Sequence, residues 1–516
     1  MAKAVRRSRV AAVKPRSKRP RIETGIDGLD LVLCKGFPAG GVYLIAGPPG
    51  TGKTTIASQL CFAAARRGTR AVFVTLLSES HNRLIANLES FGFFDEKLLG
   101  TGVRYVSAFA TLMDRGLEGV LELLRQEVKQ RSASILVIDG FVALDQLGRT
   151  PLEIKRFIHE LQIQAEMTGC TVFALTSQPV DSMQPERTMV DGIVELRYAR
   201  NNEAVARMVE VHKLRGSSYL SGGHTFSILD EGVVVEPRIE SMLAAPSHED
   251  TCLTEKTTTG IARLDDMLGG GLPCGTTTMI LGPSGSGKTS LGLHFLSAST
   301  RASPGVFFGV YETPPRLERQ ASAMGMKLTE LVNDGVVQLL WKPMTGSTLD
   351  GLGHGILRAI KASGARRLLI DGLDGFQRAT QNPERIPNFF TALANELRTR
   401  GVTTMYTVET PTFVGPNVAA PLTGVSALVE NLIFMRFVEL RADLHRLISV
   451  LKVRDTDYDS HVYEFHITPK GIELAPDYKS ADEVLTGVGH PAEPVTHART
   501  ARKRGRTDEP GRPRRR

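Results

Sequence analysis

Gly47-Pro48-Pro49-Gly50-Thr51-Gly52-Lys53-Thr54 lies between a β-rich run, Val42–Ala46, and an apolar helical run, Thr55–Ala65. Glycine tolerates the backbone curl that turns successive N–H groups toward a phosphate, and the helix that follows adds partial positive charge at its N-terminus. In such a loop Lys53 reaches the β- and γ-phosphates and the Thr54 hydroxyl coordinates Mg²⁺. The same pattern returns as Gly282-Pro283-Ser284-Gly285-Ser286-Gly287-Lys288-Thr289, between Thr277–Leu281 and Ser290–Leu296. ATP and Mg²⁺ are therefore the expected cofactors of two phosphate loops.

The loops are landmarks of a longer repeat. Thr24-Gly25-Ile26-Asp27-Gly28-Leu29-Asp30 recurs as Thr259-Gly260-Ile261-Ala262-Arg263-Leu264-Asp265, and both Gly25/Gly260 and Gly47/Gly282 stand 235 residues apart. Asp139 and Asp371, then Lys213-Leu214-Arg215 and Lys452-Val453-Arg454, keep nearly the same phase. A shared phase over this length means duplication of a whole domain. Within each copy short β-rich runs alternate with helical stretches, which predicts an α/β fold with a mostly parallel sheet flanked by helices. The expected strands are Val42–Ala46, Ala71–Thr75, Ile135–Ile138 and Thr171–Leu175, then Thr277–Leu281, Val306–Val310, Arg367–Ile370 and Thr403–Thr407. Residues 236–256 lack periodicity and contain Pro237 and Pro246, so a linker is expected at 241–256, between domains at 23–240 and 257–484. The segments 1–22 and 485–516 read as basic disordered tails.

The 516 residues, 41% hydrophobic and 23% charged, are ordinary for a globular protein of more than one domain. No run of eighteen apolar residues is present, so no membrane partner is expected. Cys34, Cys61, Cys170, Cys252 and Cys274 form no CxxC pair, which argues against a zinc or disulfide framework and suits a cytoplasmic location. The net charge of +8 is a property of the ends: residues 1–22 carry +9 and residues 497–516 carry +7, leaving −8 on the body. Nucleic acid would be met by the tails alone.

Two apolar runs end in a carboxylate, Ile135–Asp139 and Leu368–Asp371. An aspartate at the carboxyl end of a buried strand beside a phosphate loop holds the magnesium shell, which makes Asp139 and Asp371 metal candidates. Asp145 and Asp374 follow nearby, with no pattern that assigns them a role. A catalytic acid is expected just after the second strand of each copy, which gives Glu312 in Val310-Tyr311-Glu312-Thr313 and Glu79 in Leu77-Ser78-Glu79-Ser80. The alternative for each is an ordinary solvated loop acid. The late basic pairs, Lys213/Arg215 and Lys452/Arg454, are candidates for reaching a neighbouring subunit's γ-phosphate, or else form a solvated edge.

From Thr24 to about Gly487 the chain resembles the KaiC-type ATPases, a RecA-like P-loop family that includes cyanobacterial clock proteins. The likeness is carried by Thr24–Asp30, the first phosphate loop, Ser90-Phe91-Gly92, Lys213–Ser218, Val310–Thr313 and Val438-Glu439-Leu440-Arg441. The resemblance implies a homo-hexameric double ring with ATP between subunits, slow hydrolysis, and serine/threonine autophosphorylation in the second domain. It implies that Ser90 lies near the adenine, and that Lys213, Leu214, Arg215, Ser217, Tyr219 and Asp230 come from the adjacent subunit. Met324 takes the place of an aromatic wall, Lys452, Val453 and Arg454 match the second trans-acting strand, and Glu312 matches the metal-linked catalytic glutamate. The chain departs from the family in retaining one glutamate per domain after the second strand, in Ser426-Ala427 where the family has two phosphoacceptors, and in Asp455 where it has glycine. Ser426 is thus the candidate phosphoacceptor, and a signalling partner protein is expected. The alternatives are a RecA-like nucleic-acid motor and a nucleotide-gated oligomeric scaffold.

Overall fold

The computed structural model describes residues 20–77, 81–143, 150–180, 189–201, 204–243, 255–343, 347–380, 382–410, 429–440, 443–454 and 456–486. Two nine-stranded sheets follow one another along the chain. The first holds β1 (Val42–Ala46), β2 (Ala71–Thr75), β3 (Val103–Ser107), β4 (Ile135–Asp139) and β5 (Thr171–Thr176). It continues with β6 (Gly192–Asn201), β7 (Ala204–Leu214), β8 (His224–Leu229) and β9 (Gly232–Glu236), in the spatial order β9-β8-β7-β6-β1-β5-β4-β2-β3. Pairings among β1 to β6 are parallel, whereas β6 to β9 form antiparallel neighbours.

The second sheet repeats this plan. Its strands are β10 (Thr277–Gly282), β11 (Gly305–Gly309), β12 (Val337–Trp341), β13 (Arg367–Asp371) and β14 (Thr403–Glu409). They are followed by β15 (Asn431–Leu440), β16 (Asp443–Lys452), β17 (Val462–Thr468) and β18 (Gly471–Leu474), ordered β12-β11-β13-β14-β10-β15-β16-β17-β18. The chain therefore consists of two tandem RecA-like domains. One expected strand moves: Val306–Val310 runs a residue earlier, because Gly305 already pairs with Val337 and Arg367.

Helices α1 (Lys53–Arg66), α2 (Phe109–Arg131) and α3 (Pro151–Thr168) cover the first sheet. Side chains alternate between the faces of a strand, so β1 feeds two cores. Tyr43 and Ile45 join Ile56, Leu60 and Phe62 of α1 on one face; Val42 and Leu44 join Leu124, Phe157 and Leu161 of α2 and α3 on the other. Coverage on both faces explains why β1 is apolar at every position, rather than alternating. The start of α3 is fixed by a capping box in which Thr150 and Glu153 bond each other's backbone N–H, with Pro151 at the first helical position. Gly169 ends it at φ 69°, the left-handed conformation that favours glycine.

The domains meet through α4 (Ile239–Met242), just after β9. Ile239 is fully buried in the apolar core of the second domain, with Leu349 of α6 (Leu349–Ser363) and Phe389 of α7 (Arg385–Thr399); α5 (Lys288–Ser297) precedes them in the chain.

Candidate functional site

Each central strand delivers its glycine loop to a helix N-terminus. Gly50 and Gly52 have φ of 79° and 105°, and Gly285 and Gly287 have 77° and 105°. The positive φ of Gly52 favours glycine, and a Cβ there would also stand 2.7 Å from the Ile228 methyl, which would have to shift. Gly47 and Gly282 pack against the backbone oxygens of Leu196 and Met435. The Thr51 hydroxyl donates to the Pro48 carbonyl at 2.8 Å, and Ser286 is buried inside the second loop.

The lysines lie in the curl of their own loops. Lys53 Nζ donates to the Gly47 and Pro48 carbonyls at 2.6 and 3.0 Å, and Lys288 Nζ to Gly282 and Pro283 at 2.9 and 2.8 Å. Burial pushes both ammonium pKa values down; Asp139 opposes this at Lys53, and Glu409, Asp371 and Asp374 oppose it at Lys288. A cation held in a partly desolvated loop interacts strongly with an incoming phosphate.

The strand-end carboxylates reach the loop threonines. Thr54 Oγ1 donates to Asp139 Oδ2 at 2.8 Å, and Thr289 Oγ1 meets the Asp371 carboxylate oxygens at 3.2 and 3.0 Å. Sheet order makes this contact, since β4 and β13 each lie one strand removed from the loop-bearing strand. Hydroxyl and carboxylate oxygens form the hard donor set that Mg²⁺ takes, so the residues present fit the ion. In the second domain Thr407 also donates to Asp371, whereas the matching register position in the first domain is Leu175. Burial raises the Asp371 pKa, against the hydrogen bonds from Thr407 and Thr289 and the charge of Lys288.

A cleft of about 560 Å³ opens over the second loop, lined by Lys288, Thr289, Glu312, Met324, Asp371 and Glu409 among others. Glu312 thus shares a cleft with the metal candidates, and its carboxylate lies 3.6 Å from Arg316. Sequence reasoning missed Thr407, Tyr311 and Glu409, and set Asp374 aside. Tyr311 donates to Asp374 at 2.7 Å; burial and that carboxylate push its phenol pKa up to about 12. Glu79 and Ser426 lie outside the described residues.

The basic strand ends are not brought to the loops of their own domain. Leu214 pairs with Gly192, which pairs with Tyr43 at the start of β1, whereas the loop follows the end of β1. Lys452 pairs with Leu432, itself opposite Met279 near the start of β10. At about 3.3 Å per residue the strand ends are displaced roughly 10–13 Å along the strands from the loops of the same domain, and they lie two strands to the side as well. Lys452 Nζ donates to the Val429 carbonyl at 2.8 Å, Val453 is buried, and Arg454 N–H faces Asn431 Oδ1 at 3.4 Å. In the first domain Leu214 is buried, Arg215 Nη1 approaches the Met189 carbonyl at 3.4 Å, and burial followed by Arg215 lowers the Lys213 pKa. Ser217 Oγ accepts from Arg21 at 2.7 Å and Tyr219 donates to the His212 carbonyl at 3.3 Å. Asp230 lies beside the Ser90 segment of the same chain, where its carbonyl accepts from Gly92 N–H at 2.7 Å. Ser90 Oγ donates to the Asn87 carbonyl at 3.2 Å.

A glycine loop between strand and helix, closed by a threonine–aspartate contact and built twice on RecA-like sheets, defines a tandem P-loop ATPase. The family model described as "ATPase: KaiC" matches residues 22–240 and 257–479, and the chain belongs to the KaiC ATPase family. The circadian clock oscillator protein KaiC of Thermosynechococcus vestitus is 26% identical over 482 residues, spanning 90% of this chain and 91% of the relative. KaiC 1 of Synechocystis is 24% identical over 486 residues, spanning 92% of each chain. KaiC of Picosynechococcus is 24% identical over 480 residues, spanning 90% of this chain and 92% of the relative. Among the described residues no helix is long and apolar enough to cross a membrane.

Proposed function

We propose that this chain is a cytoplasmic, KaiC-like signalling or timing ATPase that assembles as a homo-hexameric double ring. In this reading each of the domains 23–240 and 257–484 holds ATP on its own phosphate loop. Lys213 and Arg215, or Lys452 and Arg454, then complete the site of the adjacent subunit. The observation that carries the reading is the separation of these strand ends from the loops of their own domain. A head-to-tail interface that closes into a ring supplies each loop with the basic end of a neighbour.

Mg²⁺ would be held by Thr54 and Asp139 in the first domain, and by Thr289 and Asp371 with Glu312 in the second. Bound there, the ion neutralises charge on the phosphates. Glu312 is the base for water or for a serine hydroxyl, and Lys288 stabilises the transferring phosphoryl group. Ser426 is the phosphoacceptor of the second domain: its oxygen bonds the γ-phosphorus, its proton passes to Glu312, and ADP leaves. A partner protein reads the resulting state. Incubation with γ-³²P-ATP tests this in wild type, Glu312→Gln and Ser426→Ala. Label on wild type that is lost from both variants supports the autokinase. Phosphate release without protein label removes the kinase and leaves the ATPase, and no hydrolysis at all rejects the reading.

A further inference from the structure

On the antiparallel pair β6–β7, Glu195 stands directly opposite Glu210. Like charges across a strand pair are destabilising, and here Arg197, 3.2 Å from Glu210 Oε2, offsets part of the repulsion. Just beyond it the register shifts: Ile193 pairs with Lys213 and Val194 with Val211, so His212 is an extra residue with no partner opposite. A bulge of this kind re-aims a side chain. His212 Nε2 lies 2.9 Å from Glu195 Oε2, and one ligand atom from each of Glu195, Glu210 and His212 fits within 4.8 Å of the other two. All three side chains are solvent-accessible, and none belongs to a phosphate loop.

The duplicated domain shows that the fold does not require this cluster. There the same bulge lies between Leu432 and Ile433, and the three positions hold Phe434, Ser449 and Leu451. Two carboxylates and an imidazole therefore occupy positions that the strand geometry fills elsewhere with uncharged residues.

We propose that Glu195, Glu210 and His212 form a site for a divalent transition metal such as Zn²⁺, distinct from both nucleotide sites. Ligand atoms about 2.0–2.2 Å from one zinc ion lie roughly 3.3 Å apart at tetrahedral angles, which the 2.9 Å His212–Glu195 separation approaches, and the Glu210 oxygen lies within 4.8 Å of both. Imidazole favours zinc-like ions over Mg²⁺ and Ca²⁺, which prefer oxygen. Arg197, 3.2 Å from Glu210 Oε2, is the competing cation, and it can swing away because it is half-exposed. His212 directly precedes Lys213-Leu214-Arg215, so the bound ion pins the base of the strand end that carries those residues.

Zn²⁺ titration of the full-length protein by calorimetry, with Mg-ADP present throughout, tests the site. Co²⁺ absorption reports on the ligand set. Wild type is expected to bind one more equivalent than His212→Gln, and Glu195→Gln is expected to weaken that equivalent at least about ten-fold. His466→Gln, on an exposed histidine of the second domain, should titrate like wild type. The cysteines give a background that survives in every variant. Equal stoichiometry and affinity in wild type, His212→Gln and Glu195→Gln would overturn the proposal.

Discussion

Arg385 holds Glu240 through two parallel hydrogen bonds, Nε to Oε1 at 2.7 Å and Nη2 to Oε2 at 3.0 Å, and the same guanidinium meets Asp350 at 2.8 Å. Glu240 belongs to α4 at the end of the first repeat, while Arg385 and Asp350 start helices of the second. The Ile239 N–H also donates to Asp350 at 3.2 Å, and Thr348 donates to Glu236 at 2.9 Å. The domains are thus tied by a paired charge network, not by apolar contact alone. Removing Arg385 leaves the buried Asp350 without its guanidinium, while Arg238 still holds Glu240 at 2.8 Å; breaking a buried pair in this way costs about 3–5 kcal/mol in a dry site. Arg385→Ala is expected near the lower end, since Arg385 retains 17% exposure, and denaturant unfolding of the full chain measures it.

The same network has a pH signature. Burial alone would raise the Glu240 pKa, but hydrogen bonds from Arg385 and Arg238 bring it from 4.5 down to about 2. Its folded value is depressed, so its stabilisation is complete above about pH 4.5 and is lost as pH falls toward 2. Asp350 works the other way: its pKa is raised by burial despite Arg385, and it disfavours the folded state as pH rises through that value. Glu240→Gln removes the first contribution and relieves part of the second, because the Glu240 charge also helps to raise the Asp350 pKa. The stability gap between wild type and Glu240→Gln should therefore narrow on acidification below about pH 4.5, as read by unfolding midpoints at a series of pH values.

Lys53→Ala and Lys288→Ala should each silence one nucleotide site and spare the other. The loops reside in separate domains, and each lysine bonds only carbonyls of its own loop among the hydrogen bonds observed. Loss of a cation positioned on the phosphates is expected to weaken nucleotide binding at that loop and to cost about 10²-fold or more in turnover. Equilibrium dialysis with labelled ATP should find roughly one nucleotide per chain in either variant where wild type holds two. Unchanged stoichiometry would remove the lysines from the binding site.

Thr407→Val is a shape-conserving change that deletes a donor to Asp371. The aspartate already has a raised pKa from burial, so losing this bond raises it further. The acid limb of second-domain hydrolysis should move to higher pH, and the Mg²⁺ needed for half-maximal rate should rise about ten-fold. Both are measured in a Lys53→Ala background, which confines turnover to the second domain. The first domain, with Leu175 at this register position, provides the comparison.

The two loops and strand-end aspartates were legible because each is a local event: an apolar strand, then a glycine curl, then a helix. Adjacency across the sheet was not. Thr407 meets Asp371 because β14 lies beside β13, and Tyr311 meets Asp374 across 63 residues of chain; neither pairing leaves a periodicity to read. The Glu195–Glu210–His212 cluster depends on a one-residue bulge, which shifts every side chain beyond it. Residues 236–256 show no periodicity and the expected first domain runs to 240, yet Ile239 enters the second domain's core. Four residues of helix are too few to display a period.

The placement of the basic strand ends permits a test that separates catalysis between subunits from catalysis within one. Lys288→Ala lacks a working loop in the second domain but keeps Lys452; Lys452→Ala has the reverse defect. If a strand end served its own domain, no mixture of the two variants could assemble a complete site, and mixing would leave second-domain hydrolysis at the level of the separate variants. In a head-to-tail ring, a loop from one variant meets an intact strand end from the other. Random co-assembly then restores about one quarter of the interfaces. Refolding or subunit exchange at a one-to-one ratio, again in the Lys53→Ala background, should recover roughly that share of the hydrolysis rate. Recovery should vanish when the two variants are assembled separately and combined under conditions that block exchange, because the missing side chain must come from a neighbour in the same ring.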